Sequence, residues 1–337
     1  MKLYCGIDLH SNNHYVVIID EMDKRLLETR LSNELSATLK VLARYKSRIT
    51  GIAVESTFNW YWLVDGLQDA GYPVMLVNTY KAQQYSGLKR TDDRHDAFWL
   101  AHQMRLGILP VGYIYPKESR GLRDLLRERR RLVRQRTTHA LSVQSTVWRH
   151  TAVKVPGQVI IGRRSGEWPK VSDAYVEMGV NAHRHAIAAL TTQIKSIERT
   201  VLKQLEPMAP YKMLLTVPGV GPIIAWTIVL ESGDLTRFAS VGNYASYCRC
   251  VDATRTSNDK KKSENNAKNG NRYLAWAYFE AAHFAIQFMP AAKRFYEKKK
   301  AQRNPILAIK ALSHKIARAS YYVMRDLAPF DEGRLFS

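Results

Sequence analysis

The segment KRTDDRHDA places Asp92, Asp93 and Asp96 within five positions of a chain that is otherwise strongly basic. Carboxylates at this spacing suit either a charged helix start or the ligands of a hard cation such as magnesium or manganese. The apolar stripe that follows, Ala97, Leu100, Ala101 and Met104, has helical spacing and should face a sheet. At ~100° per residue, Asp93 lies roughly 40° from the centre of that stripe, Asp96 about 100° away and Asp92 about 140° away. Asp93 therefore points inward with Asp96 on its flank, and Asp92 reads as an N-cap or first-turn charge. Two more acids sit in apolar, strand-like runs: Asp8 in YCGIDLH and Glu55 at the end of TGIAVEST. A carboxylate there is costly unless it is paired, hydrogen-bonded or metal-bound. Glu55 taken alone reads equally well as a strand-end acid capping the next helix. If the two strands are neighbours, Asp8 and Glu55 reach the same ion. Two such ions can activate a hydroxyl or water and stabilise the leaving oxygen in phosphodiester cleavage.

Two further stretches carry possible chemistry. In TRTSNDKKKSENNAKNGNRYL, Ser257 and Ser263 lie among Arg255, Lys260, Lys261, Lys262, Lys268 and Arg272. A serine nucleophile in phosphoryl chemistry needs activation and charge neutralisation, which basic neighbours or a metal supply. The residues alone do not rank Ser257 above Ser263. VPGVGPII (217–224) has the form of a helix-hairpin-helix turn. Gly219 and Gly221 would let the backbone approach closely, and the next helix start would offer amides to a phosphate. A plain structural turn explains it almost as well.

The elements that must position these residues follow from periodicity. KLYCGIDLH and HYVVIID read as a hairpin, RLLETRLS as a third strand, and SATLKVLARYK as a helix. TGIAVEST reads as a buried strand, NWYWLVDGLQDAG as a helix ended by Gly71, and YPVMLVN as another strand. The order describes a mixed sheet flanked by helices, placed at residues 1–110. Lys117 to His150 holds no proline and reads as one long helix with a broken apolar stripe. Arg120, Arg123, Arg127, Arg129, Arg130, Arg131, Arg134 and Arg136 crowd its first half. That is more charge than a solvated face needs, and it suits phosphates. A second helix carries Ile187, Leu190, Ile194, Ile197, Val201 and Leu205 at nearly heptad spacing, so 111–207 is expected as a coiled-coil or oligomerisation region. Residues 208–337 are expected as a mostly helical domain in which 251–272 is a polar segment, Lys293–Arg303 is a basic stretch and Pro305 starts the last helix.

Composition narrows the partners. The 337 residues include 51 Lys and Arg against 30 Asp and Glu, a formal charge of +21. A surplus of this size attracts a polyanion over long range, and nucleic acid is the first candidate. A membrane is not expected, because no leader is visible and the most apolar run, Ile223 to Leu230, is too short to span a bilayer. Three cysteines without a C-x-x-C pair point to neither a disulfide framework nor a zinc site, and the histidines show no metal spacing.

Taken together, GIDLH, VESTFNWYW, KRTDDRHDA, VPGVGP and the S-N…K-N-G-N-R-Y-L segment resemble the DEDD-type transposases of the insertion-sequence 110 family, also called bridge-RNA recombinases, which are related to Piv invertases. The resemblance implies a RuvC-like domain of ribonuclease H fold in which Asp8, Glu55, Asp93 and Asp96 bind magnesium or manganese. It also implies a serine nucleophile, matched at Ser257, although Asn258 stands where the family usually has glycine. The implied activity is site-specific strand cleavage and exchange through a covalent protein–DNA intermediate, guided by an RNA that the element encodes. The implied partners are donor and target DNA, the guide RNA and further copies of the chain as a dimer or tetramer, in the nucleoid of a bacterium or archaeon. On this reading Arg120, Arg123, Arg127, Arg130, Arg134, Gly219, Gly221, Lys260, Lys261, Lys262, Lys268 and Arg272 contact nucleic acid. The alternative is a RuvC-like, structure-selective endonuclease that uses the acids and ignores the serine. A basic nucleic-acid-binding protein whose acids only cap and pair is the non-enzymatic reading.

Overall fold

In the computed structural model, residues 1–78, 92–162, 169–251, 254–257, 260–264 and 269–336 are described, the side chains of 254–257, 260–264 and 336 excepted. The chain divides into two compact units, Met1–Lys117 and Glu118–Ser337. The segments expected as separate domains at 111–207 and 208–337 thus share one unit from residue 118 on, and 111–117 falls in the first unit.

The first unit is a five-stranded mixed sheet of β1 (Leu3–Leu9), β2 (Asn13–Ile19), β3 (Arg25–Ser32), β4 (Ile49–Glu55) and β5 (Val74–Val77), in the order β3-β2-β1-β4-β5. The first three strands form an antiparallel meander, and β4 and β5 run parallel to β1 and to each other. This is the strand order and direction of a ribonuclease H fold. Strand alternation gives the sheet two different faces. Leu3, Cys5, Ile7 and Leu9 of β1, with Ile52 and Val54 of β4, pack with Leu42, Leu63, Val64 and Leu67 from the side of α1 (Leu35–Leu42) and α2 (Tyr61–Asp69). The opposite face receives α3 (Asp93–Arg105), whose Ala97, Leu100, Ala101 and Met104 meet Val17, Ile19, Ala53 and Val77. Asp8 and Glu55 belong to this second face, because they continue the alternation of Gly6 and Ala53.

How close α3 comes to the sheet is set by Gly6. A Cβ built there would overlap the Ala97 carbonyl oxygen and lie 2.8 Å from the Ala101 nitrogen, both in the helix backbone. Neither atom can yield without moving the helix.

The second unit is almost wholly helical. It contains α4 (Lys117–Thr151, its first residue the last of the first unit), α5 (Gly157–Ile161) and α6 (Ala174–Leu205). Ala140, Val143 and Val147 of α4 pack with Ile160, Val180 and Ile187, so the heptad-like stripe is at least partly an intrachain core. Leu126, Val201 and Leu205 instead join the core of the C-terminal helices, which is why the two segments form one unit. Those helices are α7 (Ala209–Leu214), α8 (Pro222–Ser232), α9 (Val241–Tyr247), α10 (Arg272–Phe288), α11 (Pro290–Gln302), α12 (Pro305–Asp326) and α13 (Glu332–Phe336). The basic stretch at 293–303 is thus mostly helix, with Ala292 buried and the lysines turned outward. The polar segment before α10 contains a two-stranded antiparallel hairpin, β6 (Thr254–Ser257) and β7 (Lys260–Glu264). Among the described residues, no helix is long and apolar enough to cross a membrane.

The helix contact at Gly6 gives a first test. Gly6→Ala should destabilise the protein by about 2–4 kcal/mol in urea unfolding, within the range for overpacking and backbone displacement. Gly51→Ala is the control, because its Cβ would meet only the flexible Met104 Sδ at 2.8 Å. Equal, small losses for both variants would show that the helix is not held at this separation.

Candidate functional site

The sheet brings the two strand acids together. β1 and β4 pair in parallel with Ile7 opposite Val54, so Asp8 and Glu55 are neighbours on the face that α3 covers. Asp8 is 2% exposed and Glu55 half-buried. Burial pushes both carboxyls above their usual range; the shared hydrogen bond between them holds Asp8 down and Glu55 up, and the charges of Asp93 and Asp96 raise Asp8 further. Like-charge crowding and desolvation are the two ways to make a carboxyl reluctant to ionise, and both act here.

The helix delivers the remaining acids as the wheel predicts. Asp92 is the N-cap of α3, its Oδ1 accepting from the His95 amide at 2.8 Å. Asp93 is half-buried and turned toward Asp8, whereas Asp96 is exposed. Partial desolvation of its carboxyl beside the cluster raises Asp96 as well, with His95 partly opposing it and Asp93 and Asp92 adding to it. Asp96 stands close enough for its charge to act on both Asp8 and Glu55.

The sequence reading did not include His10, which the structure places in this cluster. Its Nε2 lies 3.0 Å from Asp8 Oδ2 and 3.3 Å from Asp93 Oδ1. The available signal was the position two residues beyond Asp8, which strand alternation puts on the same face. A set of carboxylate oxygens with one buried, unpartnered Asp8 oxygen is the donor chemistry that a hard divalent cation requires. The residues present therefore fit such an ion.

The second unit positions the serine segment. Ser257 ends β6 and pairs in register with Lys260, while Ser263 pairs with Arg255 beyond a bulge. Lys261 and Lys262 lie along β7, and Lys268 is outside the described residues. On either side of the segment that holds the hairpin, residues 247–249 and 270–271 are clasped together. The Asn271 amide donates to Tyr247 O at 2.6 Å, and the Arg249 Nε and Nη2 donate to Gly270 O at 3.1 and 2.9 Å. Gly270 has φ +85°, and a Cβ there would lie 2.5 Å from Tyr247 O, so the crossing needs glycine.

Beneath the clasp is a buried ion pair. Glu231, 3% exposed, accepts from Arg127 Nε at 2.6 Å, Arg127 Nη2 at 2.7 Å and Asn271 Nδ2 at 2.7 Å. Asn271 Oδ1 in turn caps α10 through the amides of Tyr273 and Leu274. This alters the expectation for the arginine-rich helix. Arg127 is committed to Glu231, Arg129 to Glu198 and Arg130 to the face of Trp276 at 4.3 Å. Arg120 and Arg123 are 4% and 8% exposed, so neither presents an open guanidinium to a phosphate. The reason for the middle three is packing: Arg127, Arg129 and Arg130 lie on faces of α4 that meet α8, α6 and α10. Arg134 and Arg272 remain exposed. Gly219 has a packing role, because a Cβ there would overlap Ala281 O and lie 2.6 Å from Ala285 N of α10. Gly221, the N-cap of α8, is exposed with open space around it.

Comparison with known proteins bears on both halves. Residues 5–149 match the DEDD IS110 transposase family model, and residues 211–297 match that of the transposase IS116/IS110/IS902 family. The insertion element IS116 44.8 kDa protein of Streptomyces clavuligerus is 24% identical over 89% of this chain and 89% of its own length. The IS900 42 kDa protein of Mycobacterium paratuberculosis is 22% identical over 97% of each. The IS110 43.6 kDa protein of Streptomyces coelicolor is 27% identical over 44% of this chain, and this alignment spans only 37% of that relative. Among solved structures, T. thermophilus RuvC in complex with a Holliday junction substrate matches at 17% identity and TM-score 0.27, over 33% of this chain and 100% of that one.

Two predictions follow from this geometry. Carboxyls raised in the folded protein hold protons more tightly than in the unfolded chain, so their contribution to stability falls as pH climbs from about 4 through the raised values. Without divalent ions, wild type should lose thermal stability between pH 5 and pH 8 more steeply than Glu55→Gln. Magnesium or manganese should reduce that difference, since an ion stabilises the ionised cluster; identical slopes would contradict the shared-proton arrangement. Separately, Glu231→Ala leaves the half-buried Arg127 without its partner and should cost about 3 kcal/mol in urea unfolding. Glu231→Gln should cost less, because the hydrogen bond from Asn271 can persist.

Proposed function

Because the chain belongs to the IS116/IS110/IS902 family of insertion-sequence transposases, we propose that it is a site-specific DNA recombinase working through two devices. One is a magnesium or manganese centre at Asp8, Glu55, Asp93 and Asp96; the other is a nucleophilic Ser257. The observation that carries the proposal is the convergence of Asp8, Glu55 and Asp93 from two strands and a helix onto one face of the sheet.

When bound, a divalent ion would lower the barrier by neutralising charge on the reacting phosphate. Asp8 and Glu55 would hold it from the sheet, and Asp93 and Asp96 from the first turn of α3. With an ion bound, the crowded carboxyls would be held ionised and would not need the proton that otherwise relieves their repulsion. Ser257 Oγ would attack phosphorus as its hydroxyl proton passes to solvent water, and the departing deoxyribose oxygen would take a proton from water in turn. The new bond joins phosphorus to serine, and the bond from phosphorus to the departing deoxyribose oxygen breaks. Energy of the phosphodiester is kept in the protein–DNA link, so a second strand's hydroxyl can reverse the step and release the serine. The lysines on β7 beside Ser257, with Arg272 at the start of α10, supply positive charge for the phosphate.

Donor and target DNA would be read by base pairing with an RNA from the element, the protein gripping backbones through the exposed part of its +21 charge. Arg134, Gly221, and Lys293, Lys298 and Lys300 of α11, which are exposed, would serve that role rather than the buried Arg120 or Arg123. We further propose that the protein acts as a homo-oligomer, a dimer or tetramer.

Trapping on suicide DNA substrates tests the nucleophile. Ser257→Ala should abolish the covalent adduct and reduce strand exchange ~10³-fold or more, as for removal of other nucleophiles. Ser263→Ala should retain both. Full strand cleavage by Ser257→Ala would instead identify a RuvC-like endonuclease that uses water. Asp93→Asn should lose cleavage while still binding DNA; if it cleaves normally, the metal role is wrong.

A further inference from the structure

The acidic cluster contains a nitrogen donor that the four-acid pattern does not include. We propose that His10 is a fifth ligand of the divalent ion, and that it biases the site toward manganese over magnesium. The inference rests on the reading of Asp8, Glu55, Asp93 and Asp96 as metal ligands.

Spacing supports it. His10 Nε2 lies 3.0 Å from Asp8 Oδ2 and 3.3 Å from Asp93 Oδ1, and one donor atom from each of the three residues lies within 4.8 Å of the other two. Adjacent donors bonded at about 2.1 Å to one octahedral ion sit about 3.0 Å apart. The observed separations are those of donors sharing an ion.

Direction supports it too. Asp8 Oδ2 and His10 Nε2 are both buried atoms without a hydrogen-bond partner, even though they are 3.0 Å apart. They do not point at each other, as a hydrogen-bonded pair would. A buried polar atom left without a partner is costly unless something else satisfies it, and here two such atoms stand side by side.

The main chain of His10 is also fixed beyond what a surface ion pair needs. Its amide donates to Asn13 O at 2.9 Å, and its carbonyl accepts from Asn33 Nδ2 at 3.0 Å and Asn59 Nδ2 at 2.9 Å. Both asparagines are held in turn, Asn33 Oδ1 by His14 Nδ1 at 3.0 Å and Asn59 Oδ1 by Thr57 Oγ1 at 2.9 Å. Ligand-bearing residues are held in this way by their surroundings. Imidazole nitrogen suits manganese better than magnesium, which prefers oxygen and retains its waters.

Electron spin-echo modulation of Mn²⁺ added to the full chain tests the ligand directly, with no dependence on DNA cleavage. Wild type should bind Mn²⁺ and show ¹⁴N coupling from a directly bound imidazole. His10→Gln should keep a bound Mn²⁺, lose the ¹⁴N signal and bind Mn²⁺ about tenfold more weakly, with magnesium affinity changed much less. Bound Mn²⁺ without nitrogen coupling in wild type, or coupling that persists in His10→Gln, overturns the role of His10 and leaves the acidic centre standing. No Mn²⁺ bound by wild type at millimolar concentration overturns both.

Discussion

Carboxylates gathered in one place repel one another, and the first unit is arranged to hold several together despite that. Asp8 and Glu55 are fixed by strand pairing, which neither side chain can escape by changing rotamer. The start of α3 adds Asp93 and Asp96, and its free amides favour negative charge at that end. Asp92, adjacent in sequence, is spent as the cap and so sets where the first turn begins. Gly6 lets the helix backbone rest on β1, so that the acids on the helix come within reach of those on the sheet. Protonation relieves the repulsion when no cation is present, which is why burial and mutual charge raise these carboxyls together.

The second unit has the opposite problem, a surplus of positive charge inside a helical core. Its solution is pairing: Glu231 and Glu198 each neutralise an arginine of α4, and aromatic faces take another. A part of the net charge of the chain is therefore structural. The part that faces solvent is carried by residues at the periphery, such as Arg134, and by Lys293, Lys298 and Lys300 of α11.

Much of the first unit was legible in the sequence because each of its signals has a period. Alternation placed Asp8 and Glu55 on buried strands, and the helical wheel separated Asp93 from Asp92. His10 escaped because a lone histidine after a strand has no period of its own; only the fold shows which side chains surround it. The arginine-rich helix misled for a related reason. Density of charge along a helix says nothing about which faces its neighbours cover, and Glu231 lies 104 positions away from Arg127. The β6–β7 hairpin carries no apolar alternation at all, so its strands read as a polar segment. Its position is set by contacts at its base, which involve Arg249 in a left-handed conformation and the main chain of Gly270.

That base has a consequence for how such a protein can change over time. The main chain of Gly270 and Asn271 is bonded to Arg249 and Tyr247 at the end of α9, so the separation of these two points is fixed whatever lies between them. Closing a longer loop across a fixed gap costs little more than closing a shorter one. Residues inserted or lost between Val251 and Asn269 therefore leave that attachment as it was. The length of the segment and its anchorage are separately heritable, and the one can change across generations of a mobile element while the helical core stays unaltered.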